Sequence, residues 1–361
     1  MEILRIIDRT TVALIAGAVG ATLVTLVLRI AGAEGVPVFI GSAVALAMLA
    51  ALVGEATDQL GGRLGPGATG VLQSALGNLP ELLISLFALQ AGLVTVVQTA
   101  LIGSILANSL LVLGLAFLLG GLRNGTQQFA SEAPRMIAVL LLLATAALAI
   151  PTLATAPGGP DAGHATELSV IAALVLLVVF AASVPFSIGG GHGARVEGHA
   201  EERAWPFWLP IALLIVTGLG AALVSDWFVE SLRPAMATLH LSEEFVGLVI
   251  VAIAGNAVEN VVGVQMAVRN RSDLSVSLIL NSSLQVALAL TPALVLLSLI
   301  VGASPMTLVV QPLLIGALAL TALLSALITL DGRSTWLEGL ALIGLYVIVA
   351  ASVWWGPAVR V

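Results

Sequence analysis

Residues 168–188 read LSVIAALVLLVVFAASVPFSI without one charged side chain, and stretches of this kind fill most of the chain. About 20 apolar residues let a helix cross the hydrocarbon core of a bilayer. On that rule eleven spans are expected, near 10–28, 36–54, 68–91, 95–119, 135–154, 168–188, 205–225, 244–268, 274–300, 306–329 and 335–355. Backbone groups in lipid must be satisfied inside their own segment, so the expected fold class is all-α, a polytopic membrane protein. The composition agrees: 59% of residues are hydrophobic, 9% are charged, and the mean hydropathy is +1.13. A water-soluble core needs far less apolar surface.

Connectors between these segments are short, except for the polar, glycine-rich 189–204, which reads as a cytoplasmic linker between halves. The N-terminus lacks the charged, apolar and small-residue pattern of a cleaved signal, so the first span is expected to be retained. All thirteen basic residues are Arg. Threaded through eleven spans, ten of them (Arg5, Arg9, Arg63, Arg123, Arg135, Arg195, Arg203, Arg269, Arg271, Arg333) share the side of the N-terminus, and three (Arg29, Arg233, Arg360) take the other. Positive charge favours the cytoplasmic side, which puts the N-terminus inside and the C-terminus outside.

Several chemistries are excluded early. There is no cysteine, hence no disulfide and no thiolate metal site. His164, His192, His199 and His240 all fall in polar connectors, away from any embedded site. A net charge of −7 with no basic block gives nucleic acid nothing to hold.

One stretch breaks the apolar rule and then recurs. Residues 77–81 are GNLPE and 255–259 are GNAVE, an offset of 178; SILANSL at 104–110 and SLILNSSL at 277–284 follow in the same order, at an offset of 173. Glu81 and Glu259 lie five spans apart, so the two copies cross the membrane in opposite directions. The expected organisation is one N-terminal helix (1–35), a five-helix repeat (36–188), the linker (189–204) and an inverted second repeat (205–361). Inverted repeats of transporters place their site near the midplane, where the copies meet.

Helical spacing puts Ser74, Asn78, Glu81 and Ser85 on one face of span three, with Ser104 and Asn108 in register on span four and Ser277, Asn281 and Gln285 on span nine. Oxygen donors without thiolate or imidazole suit a hard cation: Ca2+, Mg2+, Mn2+, Na+ or K+. Glu81 and Glu259 are the expected metal ligands, because an intramembrane carboxylate is costly and neither span carries an Arg to pair with it. Asn78 and Asn256 are expected to add oxygens, and Pro80 to loosen the helix so that carbonyls turn inward. Two adjacent buried anions take up protons when the cation leaves, so proton and cation compete for one site. Gly77, Gly103, Gly114 and Gly255 read as close-packing positions. The hydroxyls of Ser74, Ser85, Ser104, Ser109 and Ser277 divide evenly between ligation and bonding to their own helix. Glu243 and Glu244, after Ser242, read as residues that complement a helix start, a simpler account than concentrating cations at the outer mouth.

GNxxE in both halves, SILANSLLVLG after the first and NSSLQVALALTPALVLL after the second resemble the two alpha-repeats of the calcium/cation antiporter superfamily, in its Ca2+/H+ exchanger branch. ATDQL at 56–60 is similar to that branch's Ala-Thr-Glu segment, with Asp58 in the acidic position. The resemblance implies a Ca2+/H+ antiporter with eleven spans, Ca2+ and H+ as transported ions, and no cofactor. It makes Glu81 and Glu259 the shared Ca2+ and H+ carboxylates, with Asn78, Asn256, Ser282 and Gln285 beside them, and Ser85, Ser104, Asn108, Asn281 and Asp58 as accessory positions. The acidic segment the family carries between halves is reduced here to Glu197, Glu201 and Glu202.

Three alternatives remain at this point. A monovalent cation/H+ antiporter would use the same carboxylates. A membrane-embedded metal-dependent enzyme would call for acidic pairs at the surface with basic residues for phosphate. A passive channel would gain little from paired protonatable groups. The Lys-free, Ala/Leu/Val/Gly-rich composition points to a prokaryotic cell membrane.

Overall fold

The computed structural model describes residues 8–156, 158–160, 163–189 and 205–354, with backbone alone at 61–75, 133, 185–189 and 258. Most of the expected linker 189–204, with His192 and His199, and the Ser74 side chain lie outside the described residues. Helices carry nearly everything else: α1 Arg9–Ile30, α2 Val36–Leu76, α3 Leu79–Gln90, α4 Val94–Asn124, α5 Glu132–Ala154 and α6 Ala165–Gly189. The second half follows with α7 Trp208–Leu239, α8 Glu243–Gly255, α9 Ala257–Val268, α10 Ser272–Val301, α11 Pro312–Ile328 and α12 Trp336–Trp354. A single two-residue pairing, Gln127–Gln128 against Arg333–Ser334, joins the halves at one end of the bundle.

Among the described residues eight helices are long and apolar enough to cross a membrane, and α8 with α9 makes a ninth bent by 65°. The apolar helices α3 and α11 are shorter, so among the described residues helix length and composition support eight or nine spans and leave the expected count of eleven unconfirmed. The departures have local causes. No break occurs at 55–67, where a connector was expected, because the polar residues there go on making helical contacts: Thr57 Oγ1 donates to Val53 O at 2.7 Å and Gln59 Nε2 to Glu55 Oε1 at 3.1 Å. The break falls later, at Gly77–Asn78.

The same break occurs in both halves. Asn78 has φ −93° and ψ 15°, and Asn256 has φ −109° and ψ 21°, each leaving the helix just before its Glu. Proline is not the cause. Pro80 sits at the second position of α3, where a missing N–H leaves little unsatisfied, and the second copy breaks identically with Ala257 and Val258 following.

Packing interleaves the halves. Helix α2 lies along α7, α3 also touches α7, α5 meets α11, α4 packs on α8, and α12 covers α4 as its counterpart α6 covers α10. Helix α1 rests on α2, buries Thr11, Ala18 and Thr25, and is tied down by Arg29, which pairs with Glu230 at 2.7 Å and stands 5.3 Å from the Trp227 ring centre. Its outward Val19, Leu23, Val24 and Val27 are more than half exposed, as lipid-facing residues of a span are. The α4–α8 crossing is the tightest: Cβ atoms added at Gly103 and Gly247 would run onto Leu248 backbone and onto Thr99 with Val96 O. Small residues let two backbones meet this closely in a membrane.

Candidate functional site

Both helix breaks aim at the centre of the bundle. Glu81, in the first turn of α3, is completely buried. Ser104 of α4 donates a hydrogen bond to its Oε1, and Asn256 Nδ2 lies 3.5 Å from Oε2. Asn256 Nδ2 also reaches Ser104 Oγ and Ala252 O, each at 3.0 Å, so three segments converge on one carboxylate. Gly255 makes the room: a Cβ there would stand 3.3 Å from Glu81 Cβ.

Glu259, its repeat counterpart, is only half-buried, and among the described residues no side-chain hydrogen bond reaches it. Its charge lies within electrostatic reach of Glu81 on one side and of Asp58 on the other. Asp58 is exposed. The three carboxylates therefore run from the exposed part of α2, through Glu259, to the sealed Glu81. Helix α3 and helix α9 contain no basic residue.

The other expected positions divide into those near the breaks and those elsewhere. Asn78 Nδ2 donates to Gln285 Oε1 at 3.4 Å, which joins the first break to α10. Asn108 Nδ2 donates to Ser282 Oγ at 3.0 Å, and the hydroxyls of Ser109 and Ser283 meet at 2.9 Å. Ser85 is buried with its Oγ unpartnered among the described residues. Asn281, the repeat counterpart of Asn108, is exposed. The polar residues between α4 and α10 thus serve largely as interhelical ties. A Ser109→Ala/Ser283→Ala double-mutant cycle is expected to give a coupling of about 0.6 kcal/mol, the usual size for a hydroxyl pair between membrane helices, measured by denaturant unfolding in detergent.

Among the described residues no three acidic or imidazole groups converge, so a cation here would be held by carboxylates together with neutral oxygens. Two such oxygens are available: Asn256 Oδ1 and Ser85 Oγ are buried and without hydrogen-bond partners. A third, Asn260 Oδ1, is also buried and unpartnered, and sequence comparison of the halves passes over it because Leu82 stands at the matching position. A single unrepeated Asn next to the second Glu was its only signal.

A bundle of interleaved halves, with broken helices placing a buried carboxylate, Glu81, and a half-buried one, Glu259, defines together with the family match a polytopic membrane transporter. The family model described as sodium/calcium exchanger protein matches residues 34–189 and 209–355, and the chain belongs to that family. Among relatives, a Ca(2+)/H(+) antiporter of Synechocystis sp. is 36% identical over 340 residues, covering 89% of this chain and 91% of that one. The Ca(2+)/H(+) antiporter ChaA of Bacillus subtilis is 33% identical over 314 residues, covering 85% and 89%. Among solved structures, native YfkE superposes with a TM-score of 0.82 at 29% identity, covering 94% of this chain and 99% of that one. The H+/Ca2+ exchanger CAX matches in fold with a TM-score of 0.76 at 18% identity, covering 94% and 91%.

Proposed function

We propose that this protein is a Ca2+/H+ antiporter that exports cytoplasmic Ca2+ in exchange for entering protons. The observation that carries the reading is the Glu81–Glu259 pair: two carboxylates in electrostatic contact at twin helix breaks, without a basic neighbour in either helix. Relatives named Ca(2+)/H(+) antiporter, aligned over most of the chain, support the choice of ions.

The chemistry follows from charge balance. Two carboxylates neutralise one divalent ion, and Asn256 Oδ1, Ser85 Oγ and the carbonyls freed at the breaks complete an oxygen shell of the size Ca2+ takes. Pro80 contributes here, since it has no N–H for the Leu76 carbonyl four residues back. When Ca2+ leaves, the two anions repel in a poorly solvated place and bind protons instead. One site that holds either Ca2+ or protons, and is exposed to each side in turn, couples the two flows. Asn78, Ser282 and Gln285 act as neighbouring ligand or gate residues, and Ser104 and Asn108 hold the shell in place. Asp58 draws cations toward Glu259.

The arginine asymmetry supports a cytoplasmic N-terminus and an outward C-terminus in a prokaryotic cell membrane. The working division is a single helix at 1–35, repeats at 36–188 and 205–361, and a cytoplasmic linker at 189–204. Proton release from reconstituted vesicles tests the ion choice. Addition of Ca2+ is expected to release protons, whereas Na+, K+ and Mn2+ should release few. Proton release by Na+ or K+ and none by Ca2+ would make the protein a monovalent cation exchanger instead.

A further inference from the structure

A second polar site lies away from the carboxylate pair, at the end of the bundle where α4, α8 and α11 all begin. There a cavity of about 230 Å3 is lined by Thr95, Gln98 and Thr99 of α4, Glu244 of α8, and Val309, Val310, Gln311 and Leu314 at the entry to α11. Glu244 is 7% exposed, while Gln311 at the rim is exposed. Among the described residues no basic side chain lines this cavity. Helix capping does not account for Glu244: the helix start is already capped by Ser242 Oγ, which accepts from Phe245 N at 3.0 Å.

The polarity of the wall is one-sided. Gln311 Nε2 donates to Glu244 Oε1 at 2.9 Å, and Gln98 Nε2 donates to Thr307 O at 2.7 Å and Val309 O at 3.2 Å. Thr99 Oγ1 donates to its own helix, to Thr95 O at 2.8 Å. The side-chain amides and the Thr99 hydroxyl have thus spent donors on protein acceptors. What remains on the lining is mostly acceptors: the second oxygen of Glu244, the amide oxygens of Gln98 and Gln311, and hydroxyl lone pairs, against one further N–H of Gln311 and the Thr95 hydroxyl as donors. A buried carboxylate needs a compensating charge or donors, and among the described residues Gln311 Nε2 is the side-chain group that donates to Glu244.

We infer that this cavity is a second cation site, one carboxylate with several neutral oxygens, built on α4 and α8, the helices that also lead to Ser104 and Asn256 beside Glu81. Thr99 and Ser104 are five residues apart on α4, about 7.5 Å along the axis. Between them lies the close α4–α8 crossing, at Gly103 against Leu248 and Gly247 against Thr99. A single carboxylate binds Ca2+ more weakly than two, and flexible oxygens suit an ion that keeps part of its water. The site is thus a way-station on the side where the ion is released. That role rests on the proposed exchange function; the existence of the site does not.

Equilibrium 45Ca2+ binding to the purified full-length protein in detergent is the test. Wild type is expected to show two classes of site, the weaker by at least about tenfold. Glu244→Gln should remove the weaker class and keep the tighter one, and Glu81→Gln should do the reverse. If Glu244→Gln does not elute as a single folded species, Gln98→Met decides, with a several-fold weakening of the weaker class expected. One class that Glu81→Gln abolishes and both Glu244→Gln and Gln98→Met leave unchanged overturns the second site while the central reading stands. One class that responds only to Glu244→Gln upholds the second site and overturns the central one.

Discussion

Glu81→Gln is expected to lower proton-gradient-driven 45Ca2+ uptake into inverted membrane vesicles by more than about 100-fold, and Glu259→Gln to do the same, because ligand charge sets Ca2+ affinity over several decades. The amide keeps the volume of the carboxyl, so packing in the sealed pocket is retained. At Glu81 the amide oxygen still accepts from Ser104. What disappears is one of two negative charges and one of two proton acceptors, and neither coupling nor neutralisation survives that loss. The expression level and elution profile of both variants should stay those of wild type, which separates a lost site from a lost fold. Uptake by either variant at the wild-type rate would remove that carboxylate from the site.

Gly103→Val should unfold the protein or cost about 3 kcal/mol or more, at the upper end for overpacking, because the added atoms meet Leu248 backbone and not a side chain that can swing aside. Thermal melting followed by size-exclusion elution measures it. Gly316→Ala and Gly344→Ala are the controls, since nothing lies within 4 Å of a Cβ at either position. Both are expected to be neutral or to gain up to about 1 kcal/mol, as Gly is a poor helix former. Similar melting of Gly103→Val and these controls would show that the α4–α8 contact contributes little to the fold.

The layout of the bundle was legible because lipid leaves few choices: apolar runs of spanning length become helices, and polar residues among them must have work to do. Glu81, Glu259 and Asn256 could be found because each stands in a motif that occurs twice. Conformation was not legible from the same matches. Pro80 drew attention as the source of the break, but the repeated Asn positions carry nearly equal dihedrals with and without proline. The continuous α2 through Glu55–Leu60 was hidden because polar residues at a helix end read like a connector. Asn281 matched Asn108 in type, yet one is exposed and the other buried, since inverted copies do not meet the same neighbours. Glu244 read mainly as a cap, because only tertiary packing brings Gln98 and Gln311 beside it.

The two copies of the motif share residues but not surroundings. Glu81 holds Ser104 and Asn256, whereas among the described residues the matching partners of Glu259, Ser277 and Asn78, make no hydrogen bond to it, and Asn78 is turned to Gln285 instead. On the proposed exchange function, a molecule whose like halves adopt unlike shapes has a pattern for a second arrangement in which the shapes are traded. In that mirror state Glu259 would be the sealed acid, bonded by Ser277 and Asn78, and Glu81 the one opened toward the opposite face. An ion that binds both acids alike could then be carried across by a trade of roles between two half-molecules, with no large displacement of the ion itself.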